Sequence, residues 1–227
     1  MTARAPAAPE PAAPAPDCGL CPRLARFRDA NRARFATWHN APVPSFGGLD
    51  ARLLVVGLGP GLRGANRSGR PFTGDYAGEL LYATLATHGF ARGRFAAPRD
   101  DAPWRGDDLA LVDARVTNAV RCVPPENKPQ PAEIRACNGF LRAEFAAMPR
   151  LEVAVALGRV AHDAILSALG ARRADFPFAH GAIHRIGGGP ALADSFHCSR
   201  YNTSTRRLTP AMFDAVFAAV RRLLDEA

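Results

Sequence analysis

Arg52–Gly78, with the sequence RLLVVGLGPGLRGANRSGRPFTGDYAG, is the stretch that decides the fold. It begins with an aliphatic run, Arg52–Val56, which predicts a buried strand, and the glycines that follow are too dense for a regular element to continue. Glycine permits positive φ and lets a ligand approach the backbone closely. Open α/β sheets bind ligands at the carboxyl ends of their strands. We therefore predict that this loop forms the floor of a pocket.

The loop does not match the common phosphate-binding motifs. No Gly-Lys-Ser/Thr sequence follows the strand, and the only lysine of the chain is Lys128, which excludes a Walker A loop. A dinucleotide-binding GxGxxG loop runs straight into a helix, whereas this loop continues to an aromatic ring, Phe72, and a carboxylate, Asp75. The pattern favours a planar ligand over a pyrophosphate. A tight connection without a ligand is the alternative interpretation.

Composition favours a polyanionic partner. The chain has 227 residues and a net charge of +8, and 28 of its 29 basic residues are arginine. A basic surface attracts DNA or RNA because neutralising phosphates releases counterions. An arginine-rich composition also arises in a GC-rich genome, so charge alone leaves the partner open. We expect a disordered Ala/Pro-rich tail at 1–17, a single domain at 18–227, and, since no long apolar span or secretion signal is present, a cytoplasmic protein without membrane contact.

Further aliphatic runs alternate with helical patterns along the chain. This alternation predicts a parallel sheet of four strands with helices on both faces. We also expect a polar insertion over Ala91–Asp108, a hairpin over Pro177–Gly189 and a loop over His197–Arg207. The predicted strands are Arg52–Val56, Asp113–Val120, Leu151–Leu157 and Ala191–Phe196, and the predicted helices include Ala77–His88, Pro131–Met148, Gly158–Leu169 and Pro210–Leu224.

Polar residues follow three of the four predicted strands. The glycine loop with Asp75 follows the first strand, Asn118 ends the second, and His197 follows the last. Because parallel strands end at the same edge of a sheet, we expect these groups to converge. Each has a simpler interpretation: Asp75 as a helix cap, Asn118 as a turn former and His197 as a partner of a backbone carbonyl.

The chain contains five cysteines, Cys18, Cys21, Cys122, Cys137 and Cys198. A cytosolic protein rarely forms disulfides, so the CxxC pair at the start of the domain indicates a metal or a redox pair. A zinc ribbon repeats CxxC, whereas an iron–sulfur cluster accepts four irregularly spaced thiolates. A cluster, a zinc ion and unligated thiols all remain open on spacing. The candidate ligands are Cys18, Cys21, Cys122 and Cys137.

Several segments in the same order resemble a known family. The segments are GLGPGLRGANRSGRPFTGD, VTNAVRC, FHCSRYNTSTRRLT and the four spaced cysteines. Together they resemble the iron–sulfur uracil-DNA glycosylases of family 5 (type b), from Cys18 to the last helix. The resemblance implies a three-layer α/β/α sandwich with a central four-stranded parallel sheet and a [4Fe-4S] cluster. It further implies a monomeric, monofunctional glycosylase that hydrolyses the N-glycosidic bond of uracil in single- or double-stranded DNA and so initiates base excision repair.

The resemblance also assigns roles within the site. Phe72 matches the ring that stacks on the flipped base, Asn118 the amide that contacts its polar edge, and His197 the histidine that contacts uracil O2. Asp75 matches the aspartate that positions water. The first motif lines the base pocket with Gly57, Leu58 and Gly59.

These residue types suit base removal. The reaction leaves an oxocarbenium-like sugar and a uracil anion, and base flipping costs a few kcal/mol, which stacking on an aromatic ring offsets by about 1–3 kcal/mol. Two departures from the family pattern concern the site: Cys198 stands where the family often has proline, and Leu58 stands where other branches have a polar residue, which makes Asp75 more important. Arg200 and Tyr201 are our candidates for contacting the duplex. Two other functions remain possible, a glycosylase for hypoxanthine or xanthine and a non-catalytic iron–sulfur DNA-binding module.

Overall fold

The structure is a computed structural model that describes residues 11–97, 104 and 106–226. The α-helices of the described chain are α1 (Pro22–Arg34), α2 (Ala65–Ser68), α3 (Tyr76–Thr87), α4 (Pro131–Ala146), α5 (Arg159–Ala168), α6 (Arg200–Ser204) and α7 (Pro210–Asp225), and short 3-10 helices lie at Pro125–Asn127 and Arg173–Asp175. The strands are β1 (Phe46–Gly47), β2 (Leu53–Gly57), β3 (Ala91–Arg92), β4 (Ala110–Leu111), β5 (Ala114–Asn118), β6 (Val153–Leu157), β7 (Ile183–Arg185) and β8 (Ala191–Ser195). None of the helices described is long and apolar enough to cross a membrane.

The central sheet has the order β1-β5-β2-β6-β8-β7. Its inner strands β5, β2, β6 and β8 are parallel, which confirms the predicted parallel core. The predicted count of four strands is wrong for the whole sheet, because the described chain adds β1 and β7 as antiparallel edge strands and so makes six. Both additions are very short, so the sequence gives little sign of them.

Alternate residues of the inner strands face opposite layers, as expected for strands buried on both sides. On one face, Leu53 and Val55 of β2 pack with apolar residues of α3 and α7. On the other face, Leu54 and Val56 pack with α4 and α5. The result is the predicted α/β/α sandwich.

Several irregular segments differ from the predictions. The hairpin predicted within Pro177–Gly189 instead pairs β7 with β8, so its turn lies between Arg185 and Ala191. The predicted loop after His197 contains the short helix α6. Ser199 caps the start of this helix, because its side chain accepts a hydrogen bond from Asn202 N. Part of the predicted insertion, 98–103 and 105, lies outside the described residues.

The predicted boundary between tail and domain stays a prediction. Residues 1–10 lie outside the described part of the chain. Pro16 and Asp17, which belong to the predicted tail, accept hydrogen bonds from the Arg32 guanidinium at 3.0 and 2.6 Å.

Candidate active site and cysteine cavity

Gly57, the last residue of β2, is where the elements of the candidate site meet. A Cβ atom at this position would lie 2.5 Å from Asn118 Oδ1 and 2.5 Å from Phe72 Cζ. The glycine is therefore required because two side chains approach its backbone closely. Positive φ is not the reason, since it occurs later in the loop, at Gly69 and Gly74, rather than at Gly57.

Phe72 is held in an uncommon backbone conformation. Its φ is +53°, in the left-handed region, and its residue surface is only 7% exposed. The same turn accounts for Gly78 in α3, because a Cβ there would lie 1.7 Å from the Phe72 carbonyl oxygen. The ring centroid of Phe72 lies 6.0 Å from that of His197, with 26° between the planes.

Asn118 ends β5 directly beside Gly57, its partner in the parallel register. It is buried, with 2% of its surface exposed. No residue in the described part of the chain forms a hydrogen bond with its carboxamide, although a buried amide normally has partners. The donor and acceptor of this amide are thus available to a ligand.

Asp75 precedes α3 and caps it, since its Oδ1 accepts a hydrogen bond from Gly78 N at 3.2 Å. The simpler interpretation of Asp75 as a cap is therefore correct. The carboxylate also reaches solvent inside a recess, so capping does not exclude a second role. Surrounding protein atoms raise the pKa of Asp75 by desolvation, and the backbone N–H groups of Gly78 and Ala77 counter part of this rise.

His197 follows β8 and is half-buried. Burial lowers the pKa of its imidazole to about 4, so the ring is neutral at pH 7. Its carbonyl accepts a hydrogen bond from Asn202 Nδ2 at 2.8 Å, which ties this residue to α6.

A recess of about 370 Å³ joins the loops at this edge of the sheet. Asp75 and His197 both line it, so the predicted convergence is observed for these two groups. Phe72 and Asn118 lie beside it, in contact with Gly57, and are nearly buried. The sequence interpretation did not assign several of the lining residues to the site, among them Asn127 and Ser199. The signal for Asn127 was its position in a proline-rich loop, where asparagine tolerates the observed φ of +55°. The remaining lining residues are Leu58, Gly59, Gly61, Gly74, Tyr76, Ala77 and Arg200.

The two residues proposed to contact DNA lie on α6, at the rim of the recess. Arg200 is exposed and forms part of the recess wall. Tyr201 is 73% exposed, which is unusual for a large aromatic side chain.

The four predicted ligand cysteines line one small cavity. Cys18 and Cys21 directly precede α1, Cys122 follows β5, and Cys137 lies on α4. The remaining walls are mainly apolar and are formed by Pro14, Leu20, Leu24, Val120, Arg121 and Phe140. Three distant parts of the chain therefore bring their thiols to the same place.

The surroundings of these thiols are desolvated. Burial, together with the neighbouring thiols, raises the pKa of Cys21 to about 11 and that of Cys122 to about 12. Two hydrogen-bond donors balance this environment: Arg121 N donates to Cys137 Sγ at 3.4 Å, and the Arg28 guanidinium, which is 4% exposed, lies close enough to lower the pKa of Cys122 in part. The cavity thus combines apolar walls with donors directed at sulfur.

Comparison with known proteins identifies the family of this chain. The model of the "Uracil DNA glycosylase superfamily" matches residues 44–221, which include the whole recess. The chain belongs to this superfamily. Within it, the chain is 44% identical to the type-5 uracil-DNA glycosylase of Thermus thermophilus, over 91% of this chain and 93% of that protein. It is 38% identical to the type-5 enzyme of Mycobacterium tuberculosis (91% and 78%) and 39% identical to that of Pyrobaculum aerophilum (85% and 83%). The family resemblance found in the sequence is confirmed.

This superfamily member also contains a buried group that the sequence interpretation did not single out. Among the described residues, only His162, His184 and Asp194 bring three potential metal-ligand atoms within 4.8 Å of one another. However, both nitrogens of His162 face acceptors, Asp194 Oδ1 at 2.7 Å and Phe176 O at 2.9 Å. Burial alone lowers the pKa of His162, but the hydrogen bond and charge of Asp194 outweigh it and raise the pKa. The group is therefore a hydrogen-bonded histidine–carboxylate network that joins α5 to β8, and His184 of β7 adds a contact to Asp194 Oδ2 at 3.2 Å.

Proposed function

We infer that this chain is a monofunctional uracil-DNA glycosylase that removes uracil from DNA by hydrolysis and so initiates base excision repair. The observation that carries the inference is the meeting of β2, β5 and β8 at one recess. There Asp75 and His197 share a wall, and Phe72 and Asn118 meet at Gly57. The similarity to type-5 uracil-DNA glycosylases over most of the chain supports the same activity.

Base recognition falls to Phe72 and Asn118. A flipped uracil stacks on the Phe72 ring, and stacking of this kind contributes about 1–3 kcal/mol per base. The free carboxamide of Asn118 offers one donor and one acceptor, which match the alternating polar edge of uracil and mismatch that of cytosine. Leu58 and Gly59 complete the pocket from the backbone side.

Hydrolysis falls to Asp75 and His197. Breakage of the glycosidic bond places negative charge on uracil O2, where the neutral His197 ring donates its N–H. Asp75, as a carboxylate, holds the attacking water and stabilises the positive charge that develops on the sugar. Its position at the solvent-accessible wall of the recess gives water direct access to the site.

DNA contacts lie around the recess. Arg200 reaches a phosphate near the flipped nucleotide, and Tyr201 projects far enough to fill the gap left in the duplex. The net charge of +8 supports binding to the backbone of single- or double-stranded DNA. The enzyme acts as a monomer in the cytoplasm.

The cysteine cavity suits a [4Fe-4S] cluster held by Cys18, Cys21, Cys122 and Cys137. In a tetrahedral zinc site the sulfur atoms lie about 4 Å apart, since each is about 2.3 Å from the ion. No three described cysteine sulfurs lie within 4.8 Å of one another, so these thiols do not form a tight tetrahedral zinc site, and their wider spacing is compatible with a cluster in which each thiolate would bind a different iron. The four cysteines that would hold such a cluster would thereby tie α1, the segment after β5 and α4 together. The buried Arg28 and the Arg121 N–H favour the negative charge of such a centre.

Strand scission separates the possible functions. Purified protein is incubated with duplex and single-stranded oligonucleotides that carry one uracil, hypoxanthine or xanthine, and abasic sites are then cleaved with alkali. We expect scission at uracil, and scission at least about 100-fold slower with Asp75→Asn, a variant that also controls for contaminating enzymes. Scission only at hypoxanthine or xanthine indicates the alternative glycosylase. DNA binding without scission at any base indicates a non-catalytic module.

A further inference from the structure

The backbone of Phe72 requires support from its neighbours. A φ of +53° is uncommon for a residue with a side chain, and it is least expected for a bulky one. Such a conformation persists only where surrounding contacts fix it. Arg70, Pro71 and Thr73 lie on either side of Phe72 in the chain, so their contacts are the ones that can fix its backbone.

Arg70 fixes the chain on both sides of Phe72. Its Nε donates to Thr73 Oγ1 at 2.8 Å, and its Nη1 and Nη2 donate to the two carboxylate oxygens of Asp107, each at 2.6 Å. Arg70 is 8% exposed, and the side chain of Asp107 is 3% exposed. This is the two-pronged pairing that arginine makes and lysine cannot.

An aromatic cage surrounds the Arg70 guanidinium. Its central carbon lies 4.4 Å from the ring centroid of Trp104, 5.0 Å from that of Phe46, 5.5 Å from that of Tyr82 and 5.7 Å from that of Phe95. Tyr82 also donates its hydroxyl to the carbonyl of Pro71 at 2.6 Å. The cage thus holds the residue before Phe72 as well as the guanidinium.

Asp107 is itself fixed by the segment between β3 and β4. Its carboxylate accepts backbone hydrogen bonds from Ala96 N at 2.8 Å and Leu109 N at 3.2 Å. Burial tends to raise the pKa of Asp107, but the Arg70 hydrogen bond and these backbone donors lower it overall, so the carboxylate stays ionised. The segment between β3 and β4, which does not line the recess, thus holds Arg70 through Asp107, and Arg70 lies two residues before Phe72.

We propose that Arg70 and Asp107 are positioning residues that hold the Phe72 ring in place for the flipped base. The proposal rests on the proposed function for its kinetic consequence. Arg70 and Asp107 do not line the recess and act only through Phe72. A buried arginine–carboxylate pair often adds little net stability, because removing both charges from water costs about as much as their attraction gains. A role in positioning Phe72 therefore explains this pair better than a role in stability.

A double-mutant cycle tests the proposal. Arg70→Lys keeps the charge but loses the paired hydrogen bonds, and Asp107→Asn changes the partner without changing its size. We expect each substitution to lower the single-turnover excision rate about 10- to 100-fold, because small misplacements of a binding group have effects of this size. In a Phe72→Ala background the same substitutions should change the rate less than about threefold. If Arg70→Lys and Asp107→Asn lower the excision rate by the same factor in wild type and in Phe72→Ala, the proposal is overturned.

Arg52→Lys is the matched control. Arg52 pairs with Asp113 at 2.8 Å at the opposite end of β2, far from the recess. We expect it to lower the thermal stability without changing the excision rate. If Arg70→Lys lowers the rate no more than Arg52→Lys at equal loss of stability, the role of Arg70 is structural only.

A crystal structure of Arg70→Lys tests whether Arg70 fixes the position of Phe72, whatever substrate the protein acts on. We expect Phe72 to leave the left-handed region or to adopt more than one conformation, and Asp107→Asn serves as the second variant if Arg70→Lys does not fold. Unchanged φ and ring position in the folded variant would overturn the proposal. An inactive wild-type protein would refute the proposed function instead, and this structural comparison would still decide whether Arg70 positions Phe72.

Discussion

Substitution of Gly57 by alanine is the most direct test of the site geometry. The new Cβ would lie 2.5 Å from both Asn118 Oδ1 and Phe72 Cζ, whereas ordinary contacts begin near 3.4 Å. Both groups must therefore retreat by roughly 1 Å or the strand must shift, since contacts this short are strongly repulsive. The φ of Gly57 is not in the left-handed region, so backbone strain does not add to the effect.

We expect the excision rate of Gly57→Ala to fall about 100-fold, because a displacement of about 1 Å in a binding group has this consequence. The free energy of unfolding should fall by about 1–3 kcal/mol from overpacking. Single-turnover cleavage of a uracil oligonucleotide measures the rate, and urea denaturation measures the stability.

Gly139→Ala is the matched control for this experiment. Gly139 lies within α4, where no other group within 4 Å obstructs a Cβ. Alanine there should leave the rate unchanged and stabilise the helix by up to about 1 kcal/mol. A rate for Gly57→Ala within threefold of wild type would refute the proposed packing of Phe72 and Asn118 around β2.

The other predictions concern chemistry, cofactor and stability. Asp75→Asn should lower the excision rate at least about 100-fold with DNA affinity retained in a binding assay, because it removes the charge that positions water; equal activity would exclude Asp75 from the mechanism. In wild type the excision rate should fall as the pH drops through the pKa of Asp75, which is raised above the ordinary value of about 3.9, because the carboxylate is then protonated. The His197→Asn variant should show the same fall in rate at low pH. If that variant shows no such fall, the pH dependence comes from the imidazole of His197 instead. Cys137→Ser should lose iron, acid-labile sulfide and the absorbance near about 400 nm, and stoichiometric zinc in the wild type would contradict the cluster. Asp194→Asn should lower the free energy of unfolding by about 3–5 kcal/mol at pH 6. This loss should shrink as the pH rises through the raised pKa of His162, since the imidazolium it pairs with is then neutral; a pH-independent difference would argue against that charge state.

Much of the fold could be predicted because the inner strands are short buried runs separated by helical patterns, and because β2 up to Gly57 and all of β6 are aliphatic. The strands β5 and β8 also contain polar residues, but each lies between two helical segments of the chain. The edge strands could not be predicted, since β1 comprises only Phe46 and Gly47 within a proline-rich loop and owes its pairing to the exposed edge of β5. The short helix α6 was missed for a similar reason. This helix has only five residues after its Ser199 cap, which is too short to give a hydrophobic repeat that differs from that of a loop.

The parts of the candidate site that depend only on the order and direction of the strands could be predicted. Asp75 and His197 follow parallel strands, and parallel strands end at one edge, so their convergence follows from strand order alone. The conformation of Phe72 and its dependence on Arg70 could not be predicted, because Asp107 lies 37 residues further along the chain and the pairing is visible only after folding. Asn118 was predicted from its strand end, but its freedom from hydrogen bonds required the packed structure.

The segment 118–122 serves two centres at once. Asn118 at its start adjoins the base recess, Val120 N donates to Leu58 O at 3.1 Å, and Cys122 at its end faces the other thiols. Oxidation of the thiols should therefore also disturb Asn118, and a lower selectivity for uracil over cytosine after mild oxidation would reveal this link.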